Sequence, residues 1–510
     1  MWHHPTMMTL ALSQLQRQLD PLPEWSEPLQ DVARRIGPRF VRPQTRQIAL
    51  DYIQGLLSPV ERKNGWQLAE HLGQVNPYRL QHLLDRAVWD AEAVRDDLRH
   101  YVVEHLGSAQ GVLVIDESGF LKKGTHSVGV KRQYSGTAGR VENCQIGVFL
   151  TYATPKGHTF LDRDLYLPQE WADDTERREA VAVPDKIVFA TKPQLAQGML
   201  QRALDAGVPA AWVTADSVYG DDAVLRAFLE KRAQAYVMAI ACDQRLPWEQ
   251  GRIRALTLAR RLPASAWQTL SAGEGAKGPR LYDWAYQSLD APETAGWSRG
   301  LLVRRSLVDP TELAYYHVFA PLSTPLSTLV EVAGIRWTIE CCFESAKGEV
   351  GLDHYEVRRW HGWYRHMTLS LWAHAFLTVM RAQLQTEGAK RGETTARWSL
   401  RAFKLRRGLT SPTQPPPSYD RCASHFGERS RADAVRGALE CGGTAAFAGL
   451  CRVCPTARCL VLPALVKVAP RASSHCQSFP LQTPVGKNGG TPTVVFWGWR
   501  FCHIYLLALQ

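Results

Sequence analysis

Two aspartates and one glutamate have the residue types and positions to hold metal ions. Asp116 ends the apolar run at residues 112–116, and Asp216 ends the run at residues 210–216. Runs of this kind predict buried strands that present a carboxylate at the edge of a sheet. Glu340 follows on a segment with helical periodicity. Together the three carboxylates predict a site for a hard divalent cation, because such cations prefer oxygen ligands.

The segment around Glu340 is amphipathic. Arg336, Glu340 and Glu344 are spaced four residues apart and Lys347 follows Glu340 by seven, so all four are expected near one face of a helix. The opposite face is apolar and consists of Ile335, Ile339, Cys342, Phe343 and Ala346. A solvated face of ion pairs would give the same pattern. The two aspartates at strand ends favour a catalytic site instead.

Phosphodiester chemistry accounts for this combination of residues. Cleavage and strand transfer require an activated nucleophilic oxygen and a stabilised leaving oxygen, and two Mg²⁺ ions about 3.5–4 Å apart can supply both. Asp116, Asp216 and Glu340 are the predicted ligands of these ions. The side chains of Arg336 and Lys347 would then face phosphate groups rather than solvent.

Four neighbouring residues are predicted to have structural roles. Glu117 follows Asp116 directly, and adjacent side chains of a strand point to opposite faces, so Glu117 is not expected on the metal. Asp221 and Asp222 stand at a predicted helix start, where carboxylates interact favourably with the helix dipole. Trp337 is expected to pack in the core rather than to stack on a nucleobase.

The order of predicted elements indicates an α/β fold with an RNase H-like mixed sheet. From about residue 111, three strands come first, and a helix, a strand, a helix and a strand follow. A doubly wound sheet would alternate strands with helices from its start. We therefore predict a helical N-terminal domain at residues 1–105, a core at residues 106–242 and 326–386, a mostly β insertion at residues 243–325 and an irregular tail at residues 387–510.

The tail differs from the rest of the chain in charge and pattern. Residues 391–510 hold 16 Lys and Arg against 5 Asp and Glu, which accounts for the whole net charge of +11. Overall basicity is therefore weak support for nucleic-acid binding. Pro, Gly, Ser and Cys dominate without periodicity, which predicts a disordered segment, explained by a shifted reading frame or read-through. Cys451, Cys454 and Cys459 match only half of a zinc site.

The remaining cysteines and the lack of long apolar runs indicate where in the cell the protein is expected. Cys144, Cys242, Cys341 and Cys342 lie in apolar contexts and are predicted to be buried free thiols. The chain has no signal-peptide pattern at its start and no apolar run of membrane-spanning length. We therefore expect a cytoplasmic protein that does not bind membranes.

The segments that contain Asp116, Asp216 and Glu340 resemble the DDE transposases of bacterial insertion sequences. Within these, the resemblance is to the superfamily named after insertion sequence four and to the branch of insertion sequence seven-hundred-and-one. That superfamily has a Tyr-x2-Arg-x3-Glu-x6-Lys signature. Arg336, Glu340 and Lys347 stand at these spacings, with Ala333 in place of the tyrosine. The match selects Glu340 over Glu344. Further motifs typical of the branch are residues 115–124, 132–136, 142–145, 165–168 and 214–220, and the resemblance runs from about residue 40 to residue 382.

The resemblance implies a Mg²⁺-dependent nuclease and strand transferase, with Mn²⁺ as a substitute ion. Its DNA partners would be the terminal inverted repeats and a target, bound by a homodimer associated with the nucleoid. Residues 1–105 would bind the repeats, and Lys122, Lys123, Lys131 and Arg132 would line the DNA channel, although solvated surface residues would look the same. Two alternatives stay open: a catalytically inactive DNA-binding remnant, and an RNase H-like nuclease that does not transpose.

Overall fold

The computed structural model describes residues 23–390, except residues 250, 276, 277, 291 and 293. The predicted tail lies outside the described residues from residue 391 onward, together with its predicted disorder and its half zinc site. In the described ranges, no helix combines the length and the apolar character needed to cross a membrane.

The first elements of the described residues are helices, as their periodicity predicts. Asp90 caps the last of them, because its carboxylate accepts hydrogen bonds from the amides of Glu92 and Ala93. The helices are α1 (Pro23–Ile36), α2 (Pro43–Leu57), α3 (Gly65–His71), α4 (Tyr78–Asp85) and α5 (Ala91–Leu106), with a 3₁₀ turn at Gly37–Arg39.

The catalytic core that was predicted from residue 106 is built on a mixed sheet. Its strands are β1 (Val112–Leu121), β2 (Lys131–Ser135), β3 (Arg140–Thr154), β4 (Gly157–Tyr166), β5 (Trp212–Ala215) and β6 (Ala235–Ile240). The helices between them are α6 (Gln169–Ala172), α7 (Thr175–Ala180), α8 (Lys192–Asp205), α9 (Ser217–Gly220) and α10 (Ala223–Lys231). Strand β2 is not among the strands that the sequence predicted.

The strand order confirms the RNase H-like arrangement. Strands β4, β3 and β1 are antiparallel neighbours, and β5 and β6 follow beside β1 as parallel strands. The residues of β1 are buried on both faces of the sheet because helices pack on both sides. The carboxyl end of β5 therefore lies beside the middle of β1, where Asp116 stands. The sequence predicted that this strand ends at Asp116, but it continues to Leu121 because β3 pairs with it along its whole length.

Residues 243–325 contribute six further strands. Strand β12 pairs with β6, so β9 to β12 extend the same sheet to ten strands, whereas β7 and β8 form a separate hairpin. The elements are β7 (Arg245–Trp248), β8 (Gly251–Arg254), α11 (Ala255–Ala259), a 3₁₀ turn at Ala264–Ala266, β9 (Gln268–Gly275), β10 (Gly278–Ser288), β11 (Trp297–Arg305) and β12 (Leu313–Pro321).

Three helices complete the described chain: α12 (Leu326–Ile335), α13 (Trp337–Val350) and α14 (Trp360–Lys390). The single helix expected to carry Arg336 and Glu340 is interrupted at Arg336, which ends α12 and precedes α13. Helix α14 is buried between the sheet and the N-terminal helices, and the Trp372 indole donates to the Val94 carbonyl at 2.9 Å. The N-terminal helices and the sheet consequently share one hydrophobic core.

A close approach between α12 and the edge strand β9 requires glycine at position 334. A Cβ atom at Gly334 would lie 1.9 Å from the carbonyl oxygen of Ala272, whereas a Cβ atom at Gly348 in α13 would meet nothing within 4 Å. We expect Gly334→Ala to lower the free energy of unfolding by about 3 kcal/mol, since the two backbones must separate.

The matched substitution Gly348→Ala is expected to raise the free energy of unfolding by about 0.5–1 kcal/mol, because alanine restricts the unfolded chain and favours helix. Chemical denaturation of both variants measures the two effects. Equal stability of the two variants would show that α12 does not depend on this contact.

Candidate active site

Neighbouring parallel strands bring Asp116 and Asp216 together. Ile115 of β1 is paired with Ala215 of β5, and each aspartate is the next residue along its chain. Neighbouring strands lie about 4.8 Å apart, so the two carboxylates leave the backbone side by side. The Asp216 carboxylate also caps α9 and accepts a hydrogen bond from the amide of Val218 at 2.9 Å.

Asp116 is buried and Asp216 is half-buried, and negative charge neighbours both carboxylates. Burial and then the charge of Asp216 raise the pKa of Asp116 well above its ordinary value, and Arg336 opposes this shift. Burial, followed by the charge of Glu117, raises the pKa of Asp216. Ionisation of both groups is therefore unfavourable without added positive charge, which a divalent cation would supply.

Arg336 reaches this pair from the junction of α12 and α13. Its Nη1 atom lies 3.4 Å from Oδ2 of Asp116. Arg336 and Asp216 line one end of an open cavity of about 390 Å³ whose other walls include Tyr315 and Tyr316 of β12. The sequence predicted that Arg336 faces a phosphate group, and this stays a prediction; in the structure its guanidinium contacts Asp116.

Glu340 lies apart from the two aspartates. It is exposed in the first turn of α13, a helix that packs against β1, and its charge adds a smaller contribution to the raised pKa of Asp116. Among the residues that the structure describes, no three His, Cys, Asp or Glu side chains lie close enough to hold a metal ion. The donor chemistry of the two aspartates fits a hard cation. That Glu340 is the third ligand stays a prediction.

Glu117 belongs to the surroundings of the site, which the sequence analysis did not foresee. Its carboxylate accepts hydrogen bonds from Lys192 Nζ and from the Tyr219 hydroxyl, both at 2.6 Å. These partners lie on α8 and α9, on the sheet face opposite Arg336, as strand alternation predicts. Glu117 therefore connects the strand of Asp116 to the helix that begins at Asp216. Its position next to Asp116 was the only signal in the sequence.

We expect Glu117→Gln to shift the acid limb of the pH dependence of cleavage to lower pH. Removing this negative charge lowers the pKa of Asp216, so that carboxylate ionises at a lower pH. Loss of the ion pair with Lys192 is also expected to lower the free energy of unfolding by about 1–2 kcal/mol. Rates of cleavage across a pH series and denaturant unfolding measure the two effects.

Glu170→Gln is the control for this prediction, because it removes the carboxylate of another lysine pair, that of Lys131, at an exposed position. It should leave the acid limb unchanged. A shift of equal size in both variants would contradict a specific link between Glu117 and Asp216.

The predicted DNA-contacting cations have different surroundings. Lys347 donates to the Thr137 hydroxyl at 3.2 Å, and burial lowers its pKa. Lys122 lies 3.4 Å from the centre of the Tyr355 ring and donates to the Tyr355 carbonyl, and burial lowers its pKa to about 8. Lys131 is paired with Glu170. The side chains of Lys123 and Arg132 are exposed and point into solvent-accessible space.

Two expectations for apolar residues were wrong. Trp337 is 41% exposed at the start of α13 rather than packed in the core, because it stands in the first turn beside the helix junction. Cys242 is an exposed free thiol in the loop after β6, whereas Cys144 and Cys342 are buried as predicted and Cys341 is partly buried.

Comparisons with known proteins agree with the chemistry of these carboxylates. Residues 35–273 match the family described as DDE superfamily endonuclease. The chain is 32% identical over 168 residues to the probable transposase for insertion sequence element IS701 of Microchaete diplosiphon. That match covers 33% of this chain and 41% of the relative, so it spans less than half of the relative's length.

Two solved structures share part of the arrangement of elements. A cryo-EM structure of the piggyBac transposase synaptic complex with hairpin DNA is 10% identical, with a TM-score of 0.37, and the match covers 76% of this chain and 77% of that one. The NurA nuclease from Sulfolobus solfataricus is 9% identical with a TM-score of 0.22, and the match covers 48% and 81%. At such TM-scores neither superposition assigns a role to any residue of this chain.

Proposed function

We propose that this chain is a transposase of the DDE superfamily that cleaves DNA at the terminal inverted repeats of an insertion sequence. It then joins the freed 3′ ends to target DNA. The family match over residues 35–273 and the 32% identity to the probable IS701 transposase support this proposal. Asp116, Asp216 and Glu340 carry this chemistry. The helices at residues 23–106 bind the repeats, and two copies of the chain hold the two ends together in a synaptic complex.

One observation supports the proposal above all others. A buried and a half-buried carboxylate leave adjacent parallel strands side by side, and each resists ionisation because of burial and neighbouring negative charge. Structural carboxylates are usually hydrogen-bonded or paired so that their charge is balanced. Here Asp116 accepts a hydrogen bond from the amide of Glu117 at 2.8 Å and has Arg336 at 3.4 Å, yet its pKa stays raised. The arrangement suits a cation-binding pair better than a structural ion pair.

The residues of this chain have distinct roles in the proposed reaction. Asp116, Asp216 and Glu340 would hold Mg²⁺. When bound, this ion would activate the attacking oxygen and stabilise the negative charge on the leaving oxygen. Arg336 keeps the Asp116 carboxylate in place and presents its remaining guanidinium nitrogens to a phosphate. The DNA strand enters through the cavity that Asp216 and Arg336 line.

A cleavage assay tests the proposal with the full-length protein. The substrate is a labelled duplex that carries the gene's flanking repeat, incubated with Mg²⁺, with Mn²⁺ or with a chelator. We expect metal-dependent nicking at the repeat end and, when target plasmid is added, joined products.

Three other results would contradict parts of the proposal. Repeat binding without nicking in either metal would identify an inactive DNA-binding remnant. Nicking that ignores the position of the repeat, without joined products, would identify a nuclease that does not transpose. Nicking that persists in the chelator would exclude the metal-dependent chemistry.

A further inference from the structure

The hairpin of β7 and β8 has two chemically different faces. Leu246 and Ile253 are paired across the strands and pack on a hydrophobic cluster beneath the hairpin. Arg245, Arg252 and Arg254 occupy the alternating positions, so their side chains share the other face, and all three are exposed. The apolar face secures the hairpin to the protein, and the arginine face is presented to the surroundings.

The arginine face carries positive charge that the protein does not balance. Arg245 and Arg254 stand directly opposite each other, and like charges at opposite positions destabilise an antiparallel pair. Arg252 donates only to the backbone carbonyl of Arg245. Throughout the part of the chain that the structure describes, no carboxylate oxygen lies within the 4.0 Å ion-pair distance of these three side chains. An anionic partner would relieve this repulsion.

Other arginines of the same region are paired with carboxylates. They form the pairs Arg299–Glu230, Arg304–Glu312 and Arg305–Asp283. The hairpin is therefore distinguished from its surroundings by its lack of acidic partners. Arg260 and Arg261 follow α11, where cations interact favourably with the helix dipole.

The hairpin emerges from the loop beside the candidate active site. Cys242 lines the cavity that Asp216 also lines, and its carbonyl accepts a hydrogen bond from the amide of Leu256 at 2.9 Å. The carbonyl of Gln244 accepts one from the amide of Ala255 at 2.9 Å. The end of the hairpin is thus tied to the loop at its beginning, and this holds the arginine face close to the cavity.

We propose that Arg245, Arg252 and Arg254 form a binding surface for the phosphate backbone of the DNA duplex beyond the cavity. This inference rests on the proposed function, since it assumes that DNA reaches Asp216. The guanidinium groups bind phosphate oxygens and displace condensed counterions, and such contacts carry no base information. The surface therefore binds the repeat duplex and unrelated duplexes equally, and it holds the DNA in register with the carboxylates.

The test measures the affinity of the full-length protein for a labelled repeat duplex and for an unrelated duplex over a salt series. The variant R245Q/R252Q/R254Q is compared with wild type. We expect its affinity for both duplexes to fall on the order of 10- to 100-fold at about 0.1 M salt. The slope of log K against log salt should become shallower by about 2–3, since each lost phosphate contact contributes about 0.9.

Two matched variants separate charge from folding. Neutralising Lys156, Lys186 and Lys231, which are exposed and stand outside the hairpin, removes the same charge and should leave the slope within about 0.5 of wild type. Replacing the three hairpin arginines by lysine keeps the charge and should retain most of the slope.

Each contrary result has its own meaning. Wild-type protein that binds neither duplex would refute the proposed function itself. Wild-type binding combined with an unchanged slope in the hairpin variant would overturn this inference alone. An equal loss of affinity when Lys156, Lys186 and Lys231 are neutralised would show that only the overall charge of the protein matters. A loss of affinity confined to the repeat duplex would refute recognition of the phosphate backbone.

Discussion

Asp116→Asn, Asp216→Asn and Glu340→Gln are each expected to lower the rate of DNA cleavage at least on the order of 10³-fold, while repeat binding stays within a few-fold of wild type. Each substitution keeps the size of the side chain and removes one anionic ligand of the proposed metal site. The effect of the aspartates should be the most direct, because they already lie side by side on neighbouring strands. Single-turnover cleavage of the repeat duplex, with binding measured in parallel, checks this expectation.

The asparagine variants are also expected to be at least as stable as wild type. Burial raises the pKa of both aspartates, helped by the charge of Asp216 at Asp116 and by the charge of Glu117 at Asp216, so removing one carboxylate relieves unfavourable electrostatics in the metal-free protein. A loss of cleavage that accompanies a gain of stability is typical of a functional site rather than of a disrupted core.

Glu344→Gln is the matched control for the third carboxylate. Glu344 is exposed one turn after Glu340 on α13. Cleavage within about threefold of wild type in this variant, beside inactivity of Glu340→Gln, would assign the role to Glu340. The reverse result would show that Glu344 is the third ligand and that the family signature had been aligned on the wrong glutamate.

Acidification below about pH 6.5 is expected to destabilise the fold steeply. His317, His366 and His374 are fully buried, and burial lowers the pKa of each to about 3. In the unfolded chain these groups take up a proton near pH 6.5. Between these values the unfolded state binds more protons, so the free energy of unfolding falls by about 4 kcal/mol per pH unit when three histidines act together.

One of these buried imidazoles also connects three elements of the core. His374 hydrogen-bonds Thr159 and Ser345, both at 2.8 Å, and thereby connects β4, α14 and the helix that carries Glu340. Carboxylates with raised pKa values, such as Asp116 and Asp216, gain protons in the folded state and offset part of the loss. The net slope should therefore stay below that of the histidines alone.

Denaturant unfolding monitored by circular dichroism at several pH values between about 7.5 and 4.5 measures this slope. His317→Gln is expected to reduce the slope by about one third, and His126→Gln, at an exposed position, should leave it unchanged. A pH-independent free energy of unfolding across this range would contradict a neutral, buried state of the three histidines.

The order of elements was predictable because apolar patterns repeat with the period of the structure they form. The runs that end at Asp116 and Asp216 lie in β1 and β5, although β1 continues past Asp116 to Leu121, and the three strands followed by alternating helices and strands gave the RNase H-like sheet. The contact between Arg336 and Asp116 was not predicted, whereas the same patterning predicted that Asp116 and Asp216 are neighbours. Local sequence suffices for this, since strand alternation and helix periodicity depend only on nearby residues.

Tertiary packing decided what local pattern could not. The helix break at Arg336, the ion pair of Lys131 with Glu170, the burial of Lys122 against Tyr355 and the exposure of Trp337 all depend on residues distant in the chain. Charge alone does not distinguish a cation that faces DNA from one that already has a protein partner.

The sequence by itself determined the acidic residues, the sheet that presents two of them and the helix that carries the third. Only the tertiary structure decided that Glu117 joins Lys192 and Tyr219, and that Glu340 stands apart from the aspartates. It also grouped three arginines on one face of the β7–β8 hairpin. These features arise from the register of paired strands and from contacts between distant segments, which the periodicity of a single segment does not encode.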